Sequence, residues 1–330
     1  MRLIPAGRRV MQGAMELRDA SESEKRARDQ ATYDAWGMRL TREQYAAREA
    51  RLRAHPWAEA GMRTWLLLDE GGTVLSSCET FRMDALLRRG GTMISGFAYG
   101  VASVFTEPHL RGHRHAQALL ERLHPRLRAL DPSARAVVLY SDVGAPIYER
   151  AGYVARPAFD HVFPPEAGDP AEGVDALWAE TELEAALALV PVPADPFVIR
   201  PSVGQLDWQL ERERCYAEFL GRPRSPVVGA RVGRSVALWA WSGKGDLNVL
   251  LMHAEGPREA SALLRSARRV AAQVGVPAVR LWEEPRPFSW PLPEDGGRRE
   301  PRDGSLPMLH PLEPSVRAED WRSIPRALWL

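Results

Sequence analysis

The stretch EPHLRGHRHAQALL, residues 107–120, gathers Arg111, Gly112, His113, Arg114, His115 and Ala116 just ahead of an apolar-periodic run. The first turn of a helix has amide N–H groups without intrahelical partners, and its dipole favours negative charge. A glycine turn at such a place can therefore cradle a phosphate or pyrophosphate. Arg111 adds a charged fork, and Gly112 lets the backbone approach a ligand closely. An ordinary basic helix start on a solvated face accounts for the same six residues equally well. The crowding of basic side chains decides little, because arginine is used throughout: Lys25 and Lys244 are the only lysines among 44 basic residues.

Other residues carry weaker signals. Tyr140, Ser141 and Asp142 end an apolar run, where ligand contacts are common; they serve equally well to cap the next helix, and Asp142 suits a cationic substrate. His113 and His115 titrate in the physiological range. Cys78 and Cys215 have no CxxC or histidine neighbour, which argues against zinc, and they read as buried small hydrophobes. No metal is expected.

The elements that must position these residues are legible in outline. MELRDAS (15–21) reads as a strand ending at a helix cap, Ser21 or Ser23, with Glu22 and Glu24 in the first turn. A helix to about Trp36 follows. A second helix, 40–55, has Thr41 as cap and Gln44 at the capping-box position. Residues 64–70 and 73–83 around Gly71-Gly72 form a β-hairpin. A strand over 97–108 runs into the basic turn. The helix after it carries Ala116, Leu119, Leu120, Leu123 and Leu127 on one stripe, and Pro125 should kink or end it near Leu123. A buried strand (136–143) and a short helix (145–153) come next. Strand, helix, strand implies one parallel pair within a mixed sheet.

Residues 163–173 are rich in Pro, Gly and acidic residues and read as a linker. Beyond it lie a helix at 206–221, strands at 235–241 and 247–254, a helix at 257–275 opened by Pro257, and a strand at 277–285. The Pro-rich segment from about 285 to 320 should wrap the surface. The resulting division is an N-terminal extension (1–14), a first domain (15–165) and a C-terminal α/β domain (166–330). The order of elements in the latter hints at a degenerate second copy of the first.

With 330 residues, 45% hydrophobic and 26% charged, the chain can bury two cores. A net charge of +1 provides no field for nucleic acid or membrane. The absence of a secretory h-region, of a membrane-length apolar run and of a cysteine framework fits a cytoplasmic soluble protein.

ASVFTEPHLRGHRHAQALL resembles motif A of the GNAT acetyltransferases, whose turn has the form [QR]-x-x-G-x-[GA]. VLYSDVGAPIYERAGY resembles their motif B, with its Tyr-x-x-x-Gly-aromatic run. Together with WGMRLTREQYAARE and LSSCETFR, in order and spacing over roughly 15–165, these segments are similar to the fungal lysine N6-acetyltransferases of lysine catabolism. The resemblance implies an α/β fold of α+β character with a mixed sheet, a GNAT-like domain followed by a second α/β domain.

It also implies acetyl-CoA as co-substrate. Residues Arg111 to Ala116 would hold its pyrophosphate, and the backbone of Ser103, Val104 and Phe105 its pantetheine arm, with an N–H of Val104 or Phe105 on the thioester oxygen. Tyr148 would protonate the departing thiolate; its plainer role is to pack beside Tyr153. Glu79 lies where the family places substrate-facing residues and is the candidate base; its plainer role is a strand-face pair with Arg82. One departure stands out: Arg114 occupies the usual fourth-position glycine. It keeps an N–H for the cradle, and the expectation is a negative φ with the side chain turned outward; a positive φ would cost about 1 kcal/mol or more.

The expected activity is direct transfer of acetyl to a small-molecule primary amine in a ternary complex, with free lysine the leading acceptor, and Glu79, Tyr140 and Asp142 facing it. Another amine (an antibiotic or polyamine) and a catalytically silent acyl-CoA sensor are the alternatives. The C-terminal half has no counterpart of RGHRHA, so it is expected to close over the substrate or to form a homodimer face.

Overall fold

The computed structural model describes residues 15–169, 171–178, 180–241 and 245–330, so the extension expected over 1–14 lies outside the described residues. The chain runs β1 (Glu16–Asp19), α1 (Glu22–Trp36), α2 (Arg42–Arg53), α3 (Pro56–Gly61), β2 (Met62–Leu68), β3 (Val74–Arg89) and β4 (Thr92–Phe105). It continues through α4 (His115–Leu130), β5 (Ala134–Ser141), α5 (Pro146–Glu149), β6 (Val154–Ala155) and β7 (Phe159–Phe163). The remainder is β8 (Asp175–Leu177), α6 (Leu183–Ala188), β9 (Phe197–Arg200), α7 (Val203–Leu220), β10 (Gly229–Val232) and β11 (Ser235–Trp241). Last come β12 (Leu247–His253), α8 (Pro257–Val274), β13 (Val279–Trp282), β14 (Arg298–Pro301) and β15 (Leu306–Pro311).

Two mixed sheets result. The first has the order β1-β2-β3-β4-β5-β15-β6, with β9 on the same edge of β3 that β2 leaves; the second is β14-β7-β13-β12-β11-β10-β8. Each contains one parallel pair, β4 with β5 and β12 with β13. Strand pairing crosses the division at 165/166: β7 joins the second sheet, while β9 and β15 join the first.

Local chemistry sets the ends of the helices. Ser21 and Glu24 form a capping box on α1, and Thr41 and Gln44 form another on α2. Gly221, at φ 59°, closes α7 in the left-handed conformation that glycine adopts without a Cβ penalty. On α4, Leu119, Leu120, Leu123 and Leu127 are completely buried against the first sheet. Each contributes about 1.5–3 kcal/mol relative to exposure.

Three expectations are corrected. Pro125 does not end α4, which continues to Leu130. The proline lies on the exposed face, where the Glu121 carbonyl it leaves without a donor can take water, while Leu123 and Leu127 anchor the buried face on either side. The strand expected to stop at 83 runs on to Arg89. It turns at Gly90-Gly91 (φ 56° and 82°) into β4, with Met83, Ala85 and Leu87 buried alternately. The segment 285–320 wraps the surface only in its first part: from Leu306 on, β15 fills the gap between β5 and β6, Met308 and Leu309 are fully buried, and so is Trp321 just beyond. Trp321, with Trp282 of the second sheet, packs on the face of the first sheet opposite α4.

Candidate active site

The two parallel strands of the first sheet part at one end. The β4–β5 ladder pairs Phe97 to Val101 with Ala134 to Leu139 and then stops. On the other side of β4, Glu79 pairs with Ala102 and Ser77 with Phe105, so Ser103 and Val104 have no partner on either neighbour. Ser103 adopts φ 52°, the mark of a bulge that bends β4 away. The backbone at Ser103 and Val104 is thus presented to the opening between the strands.

A cavity of about 190 Å³ occupies this opening. Glu79, Ser103, Val104, Tyr140, Asp142 and Tyr148 all line it, which brings together the candidate catalytic and substrate-facing residues with two of the strand residues; the basic turn Arg111–Ala116 lies outside it. Phe105 does not join them: its backbone is in register with Ser77, and its ring packs against Trp36 at 5.8 Å.

Glu79 is buried and pairs with Arg28, not with Arg82, across 2.9 Å. Arg82 goes instead to Asp131 at 3.2 Å. The Arg28 guanidinium also donates to Ser77 Oγ (3.0 Å) and to the Ser103 carbonyl oxygen (2.6 Å), tying α1 to the bulge. Burial pushes the Glu79 carboxyl above its ordinary range, and the positive charge of Arg28 only partly opposes this.

Tyr148 is buried in α5, and its phenol is pushed up to about 12 by burial, then by the charges of Asp142 and Cys78. The ring meets Tyr153 edge-on at 6.1 Å, so the packing role exists alongside the cavity position. Behind it, the Tyr153 hydroxyl bonds His124 Nε2 at 3.0 Å, and His124 stacks on His310 at 3.7 Å. His310 Nδ1 donates to the Gly152 carbonyl (3.0 Å). Gly152 sits at φ 83°, and a Cβ there would lie 3.0 Å from the His310 ring, so the glycine of the Tyr-x-x-x-Gly run is required twice over.

The basic turn follows β4 directly. Arg111 through Arg114 are exposed, and Gly112 adopts φ 82° with open space where a Cβ would be. The first helical hydrogen bond of α4 runs from Ala118 N–H to Arg114 C=O, which leaves the N–H groups of the first turn unpaired within the helix. Arg111 Nε donates to the Thr106 carbonyl (3.1 Å), closing its own loop. His113 and His115 stack at 5.8 Å, and burial, then His113, pushes His115 down. The expected negative φ at Arg114 is corrected: the residue sits at φ 62°, ψ 23°. The turn imposes the left-handed conformation that a glycine would take without strain, so arginine here carries a cost of about 1–2 kcal/mol.

Asp142 does not cap α5, which has no side-chain cap. It accepts from the Ser305 N–H (2.8 Å) and Oγ (3.3 Å), while Ser141 Oγ closes the turn by donating to the Gly144 carbonyl (2.6 Å). At the start of α8, Pro257 lacks an N–H and Glu259 lies 2.8 Å from where a Gly256 Cβ would be; both features disfavour an anion.

Residues 179–316 match the family described as the LYC1 GNAT-like C-terminal domain. A lysine acetyltransferase of Yarrowia lipolytica (strain CLIB 122 / E 150) is 23% identical over 373 residues, covering 89% of this chain and 94% of that protein. The fold is similar to that of an Enterococcus faecalis protein named a probable N-acyltransferase (TM-score 0.59, 11% identity, 91% of this chain and 73% of that one). It is also similar to a GCN5-related N-acetyltransferase of Kribbella flavida (TM-score 0.51, 18% identity, 91% and 72%). Residues 179–316 thus match a GNAT-like domain, and the fold of the whole chain is similar to that of N-acetyltransferases.

Much of the cavity wall is not legible in the sequence. Arg48, Glu49 and Arg53 of α2, Trp208, Arg212 and Tyr216 of α7, and Arg326 and Trp329 near the end of the chain all line it. The C-terminal half therefore supplies part of the cavity wall. Arg48 Nε donates to Glu49 (2.8 Å), and Arg53 donates to the buried carboxylate of Asp29 (2.8 Å). Tyr45 OH shares a hydrogen bond with Thr32 Oγ1 (2.9 Å). Helical spacing signalled that Tyr45, Arg48 and Leu52 share one face. Nothing local signalled that this face would meet α7.

Proposed function

We propose that this acetyltransferase moves acetyl from acetyl-CoA to the primary amine of a small molecule by direct attack within a ternary complex, with free lysine the leading acceptor. The observation that carries this reading is the convergence on one cavity of Glu79, Tyr148 and the backbone of Ser103 and Val104, which lies outside the strand register. The lysine acetyltransferase named above favours lysine among the amines.

The residues divide the work as follows. A lysine-type amine has a pKa of about 10.4, so at pH 7 roughly 1 molecule in 2,500 is neutral, a handicap of about 4.6 kcal/mol. Glu79, raised by burial, accepts that proton directly or through water. The amine nitrogen bonds to the carbonyl carbon while the C–S bond breaks, and the proton lost by nitrogen ends on sulfur. The backbone N–H of Val104, a residue outside the strand register, is the candidate donor to the thioester oxygen. A phenol near 12 stays protonated and donates a hydrogen bond to the departing sulfur. Full transfer from it to a thiolate of ordinary pKa, about 8.5, would be uphill, so Tyr148 acts chiefly by stabilising the charge. The Gly112 turn and the first N–H groups of α4 hold the pyrophosphate.

Initial rates measured over a grid of acetyl-CoA and amine concentrations, with lysine, a polyamine and an aminoglycoside as acceptors, test this. Intersecting lines with lysine as the best acceptor are expected. Parallel lines would contradict direct attack; a better rate with the polyamine or aminoglycoside would replace the acceptor.

A further inference from the structure

Five arginines reach the cavity or the pairs that brace it, and they fall into two groups. Arg28, Arg48 and Arg53 each bind a carboxylate, on Glu79, Glu49 and Asp29. Arg212 and Arg326 line the same cavity, and among the described residues neither makes an ion pair or a hydrogen bond. Their contacts are rings: Arg212 lies over Trp208 (4.3 Å) and Trp329 (4.9 Å), Arg326 over Trp282 (5.1 Å) and Trp329 (5.2 Å).

Two cations share one indole, Trp329, and neither is held in an ion pair by a carboxylate among the described residues. Burial is the main force pushing both guanidinium groups down to about 10, and Arg326 also feels the charge of Arg212. Glu49 and Glu79 act on Arg212 only through space, and so does Asp160 on Arg326. A guanidinium withdrawn from water without a carboxylate is unfavourable unless something supplies one. Tyr140 also lines the cavity, and its buried hydroxyl has no hydrogen-bond partner among the described residues.

We infer that Arg212 and Arg326, with the Tyr140 hydroxyl, form a carboxylate subsite, so that the acceptor is an amino acid and not a simple amine or polyamine. This rests on the acetyltransferase reading and deepens it. Paired guanidinium forks suit the two oxygens of a carboxylate, whereas they repel a second ammonium. The arrangement selects an acceptor that is anionic at one end and offers its amine at the other, beside Glu79 and Tyr148.

The test compares L-lysine with 1,5-diaminopentane, the same chain without the carboxylate. In calorimetric titrations of the whole protein with CoA present, lysine should bind at least about tenfold tighter than the diamine. In rate assays the wild type should favour lysine by about 100-fold in kcat/KM. Arg212→Gln and Arg326→Gln should each raise KM for lysine about 10–100-fold with little change in kcat, and should lower KM for the diamine, whose second ammonium is then repelled less. Equal binding and turnover of the two amines by the wild type would overturn the subsite, whether or not the variants fold. Equal losses for both amines in the variants would do so as well. If acetyl-CoA binds and neither amine is acetylated, the acetyltransferase reading fails, and the titrations still decide the subsite.

Discussion

The Glu79 carboxylate and the Arg28 guanidinium meet at 2.9 Å with both side chains buried, and the same guanidinium holds the Ser103 carbonyl at the bulge of β4. One side chain of α1 therefore fixes both the candidate base and the exposed backbone beside it. Removing one member of a buried pair strands the other, so Arg28→Gln should lower stability by about 3–5 kcal/mol in urea unfolding. Arg28→Lys should recover only part, because a point charge cannot span three acceptors. As a base, Glu79 must be ionised. The acid limb of the kcat/KM profile should lie above the ordinary carboxylate range and vanish in Glu79→Gln, whose deficit should be smallest at high pH. A deficit independent of pH would assign Glu79 to positioning.

Tyr148 donates to sulfur only once charge develops there. Tyr148→Phe should lower kcat by about 10²–10⁴ while calorimetric acetyl-CoA affinity stays nearly unchanged. A large loss of affinity with kcat preserved would mean that the ring only packs against Tyr153.

How far the sequence discloses this site depends on the range of the interactions. The caps at Ser21 and Thr41 and the Leu119–Leu127 stripe are written in neighbouring residues; of the two caps the sequence offers for α1, Ser21 and Ser23, the structure uses Ser21. The GNAT resemblance located Tyr148, Glu79 and the bulge strand, which the structure gathers in one cavity. The partner of Glu79 was missed because Arg28 lies 51 positions away, and no local pattern links an exposed-looking helix arginine to a strand carboxylate. Likewise β15 hid among prolines: Pro307 and Pro311 flank its buried Met308 and Leu309, and only the gap beside β5 makes a strand of them. Arg114 illustrates a different limit, since the residue type was legible and its φ was not.

At Arg114 the backbone is in the left-handed region with a side chain that gains no cap hydrogen bond there. Arg114→Gly should raise stability by up to about 1 kcal/mol, the strain relief offset in part by the greater freedom of glycine when unfolded. Chemical denaturation reads this directly, and acetyl-CoA affinity should not fall, because the N–H is retained. A loss of affinity would show that the arginine side chain itself holds phosphate.

Burial, followed by the neighbouring His310, pushes His124 down to about 3 from its ordinary 6.5. The unfolded chain then binds more protons between those values, so stability rises with pH through this window and is fully present above about 6.5. The thermal midpoint should fall as pH drops from about 7 to 5. His124→Gln, which no longer titrates, should flatten that fall; an unchanged slope would place the sensitivity elsewhere.

The central claim is that this cavity joins an acetyl thioester to an amine. Mixing the full chain with acetyl-CoA and free lysine, and following both thiol release and the mass of the amine, tests it most directly. One acetylated lysine is expected for each CoA thiol freed, with Tyr148→Phe slowing both equally. Acetyl-CoA bound without thiol release for lysine or any other primary amine would contradict it.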